Sequence, residues 1–277
     1  MGLGTKHGIR DLALPKSRNL IIKAINEDLL QDPNILGLFY GGSIGNDTTD
    51  LYSDIDLRLI IADAFYESYR LNKKQRATNW GEVLFFEDVP SASYSTAHFK
   101  TFVKVDTFYY QTRDIHPSIW LKNIKIIHDT NGFLATALEK SKLLSYELRE
   151  DKFEMWRSKF FAYLHEGYRR LKRKENYYAL QCLDRMRLLM VAGWYMDAGI
   201  EPNSPTDWAK LEGERSQLLD WQLELLTHWD SGRDARQITC VIQSIIPEFR
   251  HVQQKLSDKL NLAENPNDID EIIKLVF

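Results

Sequence analysis

Residues 39–61 read FYGGSIGNDTTDLYSDIDLRLII, and this stretch decides the fold. It opens on the end of an apolar run, ILGLFY at 35–40, short enough to be a buried strand. Gly41-Gly42-Ser43 follows at once, so the strand leads into a tight loop. Adjacent glycines let backbone N–H groups approach an anion closely, and Ser43 adds a hydroxyl donor. A helix starting near Ser43 would aim its positive end at the same anion. Ten residues later comes Asp54-Ile55-Asp56, at the start of a second apolar run, DIDLRLIIA at 54–62. On a strand, positions two apart project from one face, so the Asp54 and Asp56 carboxylates converge. Converging carboxylates repel unless a cation sits between them, and hard oxygen ligands favour Mg²⁺ bridging to phosphate.

Working outward, the first half reads as mixed helix and strand. Apolar residues at helical spacing predict a helix over 16–30, stopped by Pro33 and Asn34. Residues 83–87 predict a third strand, and 99–110 (FKTFVKVDTFYY) a fourth. Along that fourth strand Phe102, Lys104, Asp106 and Phe108 share a face. Residues 121–128 add a short strand or helix. An ionised Asp106 among apolar neighbours is costly unless it reaches a cation, which makes it the natural third carboxylate. Three carboxylates beside a phosphate loop are the arrangement for metal-assisted in-line displacement at phosphorus.

From about residue 147 the pattern is helical only. Phe153, Trp156, Phe160, Leu164 and Leu171 make one stripe. Residues 177–198 form a more uniformly apolar helix ended by Gly199, with Pro202 and Pro205 opening the next loop. Further helices are expected over 216–228, 233–245 and 247–260. Arg187 falls on the apolar stripe of Leu180, Leu183, Met190 and Trp194. A buried guanidinium needs an anion. Asp184, three residues earlier, and a nucleotide phosphate are both open as that anion. His128-Asp129-Thr130 reads as a turn or helix cap.

The segment at 39–61 resembles the signature of the polymerase-β-type nucleotidyltransferase superfamily: an apolar strand, Gly-Ser, a spacer of this length, then acid-apolar-acid. VKVDTF around Asp106 matches the third acid. IIHDTNGFL at 126–134 and CLDRMRLLMVAGWY at 182–195 are similar to stretches of aminoglycoside and lincosamide adenylyltransferases. The resemblance implies an α+β fold: a small mixed β-sheet nucleotidyltransferase core with flanking helices over 1–145, then an all-α helical bundle over 146–277 that binds the acceptor. It implies that Gly42 and Ser43 hold the nucleotide phosphates, and that Asp54 and Asp56 ligate Mg²⁺. Asp106 would ligate the metal or act as base, with Glu166 and Asp184 as further candidates for the base. The expected reaction moves AMP (or another NMP) from ATP (or another NTP) to a hydroxyl of a small molecule. A protein or RNA acceptor, or a non-catalytic nucleotide-binding module, are the alternatives.

Composition sets the outer limits. Lys and Arg total 36 against 39 Asp and Glu, a net charge of −3, so bulk attraction to nucleic acid is not expected. The two cysteines, Cys182 and Cys240, belong to no metal-binding pair. No run of about 18 apolar residues exists, so a cytoplasmic protein without a membrane span is expected. Trp208, Trp221 and Trp229 each adjoin an acid, a pattern suited to walling a polar or cationic acceptor. The oligomeric state is left open.

Overall fold

The structure is a computed structural model that describes residues 6–203, 207–263 and 266–277. Pro205 lies outside these described residues. The chain divides into two compact units, Met1–Ser145 and Tyr146–Phe277.

The first unit is built on six strands: β1 Ile35–Tyr40, β2 Ile55–Ile61, β3 Val83–Asp88, β4 Tyr94–Phe99, β5 Lys104–Tyr110 and β6 Lys125–Asp129. Their order across the sheet is β3-β4-β5-β2-β1-β6. β2 and β5 run parallel and every other neighbouring pair is antiparallel. The helices of this unit are α1 Gly8–Leu12, α2 Leu14–Leu29, the four-residue α3 Gly42–Gly45, α4 Tyr66–Leu71, α5 Lys73–Ala77 and α6 Phe133–Lys142.

Strand parity explains the layers. Leu38 and Tyr40 of β1, with Leu57 and Leu59 of β2, pack with Ile21, Ile25 and Leu29 of α2. The intervening Phe39 and Ile60 pack instead with Leu121, Ile124 and Leu134. The central strands are therefore covered on both faces, which is why they read as continuous apolar runs rather than alternating ones.

The second unit is helical: α7 Glu150–Lys172, α8 Asn176–Asp197, α9 Asp220–His228, α10 Ala235–Lys259 and α11 Pro266–Lys274. Its core joins Phe153, Trp156 and Phe160 of α7 to Leu183, Met186, Met190 and Trp194 of α8 and Ile242, Phe249 and Val252 of α10. The Phe160 and Phe249 rings stack with centroids 3.7 Å apart. Among the described residues no helix is long and apolar enough to cross a membrane.

Two expectations give way. Residues 99–110 are not one strand: the chain reverses between β4 and β5, with Phe102 at φ +68° and Phe99 N–H donating to the Val103 carbonyl at 2.9 Å. The turn, Lys100-Thr101-Phe102, carries no Gly, Pro or Asn. Its two flanking arms keep the same alternation, so nothing local marks it. The two helices expected over 233–245 and 247–260 are one, α10 Ala235–Lys259. Pro247 sits inside α10, and the apolar stripe Ile238, Ile242, Ile245, Phe249, Val252 and Leu256 stays buried across it. Burial of that stripe outweighs the hydrogen bond that proline forfeits.

Candidate active site

The site grows from the end of β1. Gly41 N–H donates to the Asp56 carbonyl at 3.0 Å, tying the turn to β2. Gly42 then adopts φ +55°, and a Cβ built on it would stand 1.9 Å from Asp56 Oδ2 and 2.9 Å from Asp56 Cγ. Only glycine permits both the left-handed backbone and this approach to the carboxylate. Ser43 follows in α3, and its Oγ is buried without a hydrogen-bond partner among the described residues. An orphaned buried hydroxyl is the kind of group that a bound ligand oxygen satisfies.

The acids come from adjacent parallel strands. Asp56 on β2 is in register with Asp106 on β5, and Asp54 immediately precedes β2. Lys104 Nζ lies 2.8 Å from Asp54 Oδ2 and 2.9 Å from Asp106 Oδ2. Thr96 Oγ1, across from Asp106 on β4, donates to Asp106 Oδ1 at 2.6 Å. Arg58, buried, pairs with Asp56 Oδ1 at 3.3 Å and lies 3.8 Å from the centre of the Phe108 ring.

The electrostatics follow this layout. Burial pushes the Asp56 carboxyl above its ordinary value; the Arg58 charge opposes this, and the Asp54 and Asp106 charges add to it. Burial works against the Lys104 ammonium, but its hydrogen bonds to Asp54 and Asp106 prevail and hold it above the ordinary lysine value. The loop that delivers Asp54 is itself anchored. Buried Arg18 of α2 donates through Nη1 to the Asp50 carbonyl at 3.1 Å and to the Ser53 carbonyl at 2.9 Å. Beside Asp54 and Lys104 a cavity of about 590 Å³ is lined by Arg18, Tyr52, Phe85, His98 and Phe102.

Comparison with solved structures gives chains similar to this one. The chain is similar to an aminoglycoside 6-adenyltransferase from Bacillus subtilis, at 14% identity over 94% of this chain and 97% of that one, with a TM-score of 0.41. It is also similar to a nucleotidyltransferase-like protein from Exiguobacterium sibiricum, at 13% identity over 87% of this chain and 77% of that one, with a TM-score of 0.43. No family model and no curated protein sequence matches it.

Gly42, Ser43, Asp54, Asp56 and Asp106 thus meet at one end of the β1, β2 and β5 strands. The residues fit a hard divalent cation in donor chemistry: three carboxylates and a buried hydroxyl with no partner among the described residues, all oxygen ligands. Among the described residues no three His, Cys, Asp or Glu side chains close into a ready metal cage.

The second-unit candidates have other contacts. Arg187 Nε donates to the Trp229 carbonyl at 2.8 Å, and its Nη2 donates to the same oxygen. Burial depresses the Arg187 pKa against the pull of Asp184 and Asp230. Asp184 accepts from Trp208 Nε1 at 3.3 Å. Glu166 receives Arg170 Nε at 2.5 Å, and that bond holds its carboxyl below the ordinary range. Trp229 is no wall for an acceptor: it is 2% exposed and stacks on Trp194 at 5.7 Å. Asp129 caps α6, accepting from Leu134 N–H at 3.1 Å and Ala135 N–H at 2.8 Å.

Sequence reasoning overlooked Lys104, Arg58, Thr96 and Arg18. A period of two carried the signal for the first two, since Lys104 shares the face of Asp106 and Arg58 that of Asp56. Thr96 and Arg18 had no local signal, because strand pairing and helix packing bring them in.

Proposed function

We propose that this chain is a nucleotidyltransferase that transfers the nucleoside monophosphate of ATP, or another NTP, to a hydroxyl of a small molecule. The observation that supports the reading most is the Gly42–Ser43 turn pressed against Asp56, with Asp106 in register beside it. Ser43 Oγ, buried and unsatisfied, is suited to a phosphate oxygen of the leaving pyrophosphate. Asp54, Asp56 and Asp106 would hold Mg²⁺. When bound, that ion would supply charge neutralisation for the phosphate oxygens.

Asp106, oriented by Thr96 Oγ1, is the third carboxylate and takes the proton of the acceptor hydroxyl. The acceptor oxygen then forms a bond to the α-phosphorus as the bond to pyrophosphate breaks. Arg58 keeps Asp56 in place from within the sheet. The helical unit, 146–277, is assigned to the acceptor. Aminoglycosides and lincosamides, the acceptors of the enzymes whose motifs the chain resembles, are the first to test.

The experiment is incubation with labelled ATP, Mg²⁺ and a panel of these antibiotics, following label transfer and pyrophosphate release. Transfer by the wild type, lost in Asp54→Asn and in Asp56→Asn proteins of unchanged circular dichroism, is the expected result. Transfer that survives both substitutions overturns the assignment.

A further inference from the structure

The ammonium of Lys104 occupies the space between Asp54 and Asp106 that a metal would share. The cluster already has internal compensation. Three carboxylates face two cations, Lys104 and Arg58, leaving one negative charge. That pulls on a divalent ion less strongly than three uncompensated carboxylates would, since affinity for such ions rises with the charge of the oxygen ligands. Lys104 is also seated to leave. Its side chain is about one-third exposed. By contrast, Arg58 is buried and stacked on Phe108.

We propose that Lys104 is a built-in counter-ion that competes with the divalent cation for Asp54 and Asp106, so that the site stays metal-poor until the nucleotide arrives. This rests on the nucleotidyltransferase reading above and adds to it an order of binding. Before nucleotide binds, Lys104 neutralises the acids and prevents the repulsion that would otherwise splay Asp54 from Asp106. The negative charge of the nucleotide phosphates then tips the competition, giving the ammonium an alternative partner and the metal additional oxygen ligands. Metal binding is therefore weak without nucleotide and strongly coupled to it.

The test measures Mn²⁺ binding to the purified full chain by electron paramagnetic resonance and by calorimetry, with and without a non-hydrolysable ATP analogue. The proteins compared are the wild type, Lys104→Met and Lys104→Gln. Without nucleotide, both variants are expected to bind Mn²⁺ at least about tenfold more tightly than the wild type, the lower end of the effect an adjacent opposite charge has on a carboxylate. Their metal-free unfolding temperature should fall and recover on adding Mn²⁺. Adding the analogue should tighten Mn²⁺ binding more in the wild type than in either variant.

A purely structural role for Lys104 gives the opposite sign, weaker metal binding in a damaged site. Equal or weaker Mn²⁺ binding by both variants overturns the proposal while leaving the nucleotidyltransferase reading standing. Absence of Mn²⁺ binding to all three proteins, even with the analogue, removes the metal reading and the proposal with it. Lys104→Gln keeps a hydrogen-bond donor without the charge, so a fold defect in Lys104→Met alone does not decide the result.

Discussion

Substituting Gly42 by alanine tests both the backbone and the chemistry of the site. At φ +55° an L-residue pays roughly 1–2 kcal/mol for the left-handed conformation. The stiffer unfolded chain returns about 0.4–1 kcal/mol of this. The new Cβ also collides with Asp56 at 1.9 Å from Oδ2 and 2.9 Å from Cγ. Rotating the carboxylate clears the oxygen but not the Cγ, so Asp56 must leave its rotamer, adding about 0.5–1.5 kcal/mol. A net loss of about 0.5–3 kcal/mol follows.

Gly132 supplies the control. Its φ is +70°, yet nothing lies within 4 Å of a Cβ built there, so Gly132→Ala carries the backbone cost alone. Urea unfolding should place Gly42→Ala about 1 kcal/mol below Gly132→Ala, the off-rotamer cost by itself. Nucleotide transfer should separate them further. Displacing Asp56 and narrowing the turn should reduce the Gly42→Ala rate about a hundredfold, as misplacements of this size do, while Gly132→Ala keeps wild-type activity. Equal stability and equal activity of the two variants would refute the reasoning.

Three more outcomes are expected. Arg187→Met removes both donors to the Trp229 carbonyl, leaving that oxygen unpaired at a cost of about 1–3 kcal/mol in urea unfolding; ATP-analogue affinity measured by calorimetry should not change, and a loss of affinity would assign the guanidinium to phosphate instead. Burial alone would raise the Asp32 and Asp197 carboxyls, but hydrogen bonds from Tyr69 and Arg76 to Asp32, and from Lys259 to Asp197, lower both. Their stabilising contribution is complete above the unfolded carboxylate range, near pH 4, and is lost as pH falls through the lower folded values. The unfolding temperature should therefore fall on acidification below about pH 4, and less steeply in Asp32→Asn than in the wild type. Cys182, buried and with its thiol pushed up to about 11, should resist iodoacetamide at pH 8 while exposed Cys240 reacts, as peptide mass mapping will show.

The sequence by itself determined which turn and which acids the first unit brings together. Glycine's tolerance of left-handed backbone and the two-residue period of a strand are local properties, so Gly42-Ser43 and Asp54-Ile55-Asp56 announce a turn and two converging acids before any folding is considered. The helical stripes of α7 and α8 are legible for the same reason. Tertiary structure decided what neutralises those acids. The register of β5 against β2 sets Asp106 beside Asp56, β4 pairing brings in Thr96, and the packing of α2 brings Arg18 to the Asp50–Ser53 turn. It also gave the Arg187 guanidinium a carbonyl oxygen where the helical spacing suggested an anion. Backbone carbonyls are present at every residue and leave no mark in sequence, so which one faces the half-buried Arg187 guanidinium is settled only when distant segments pack together.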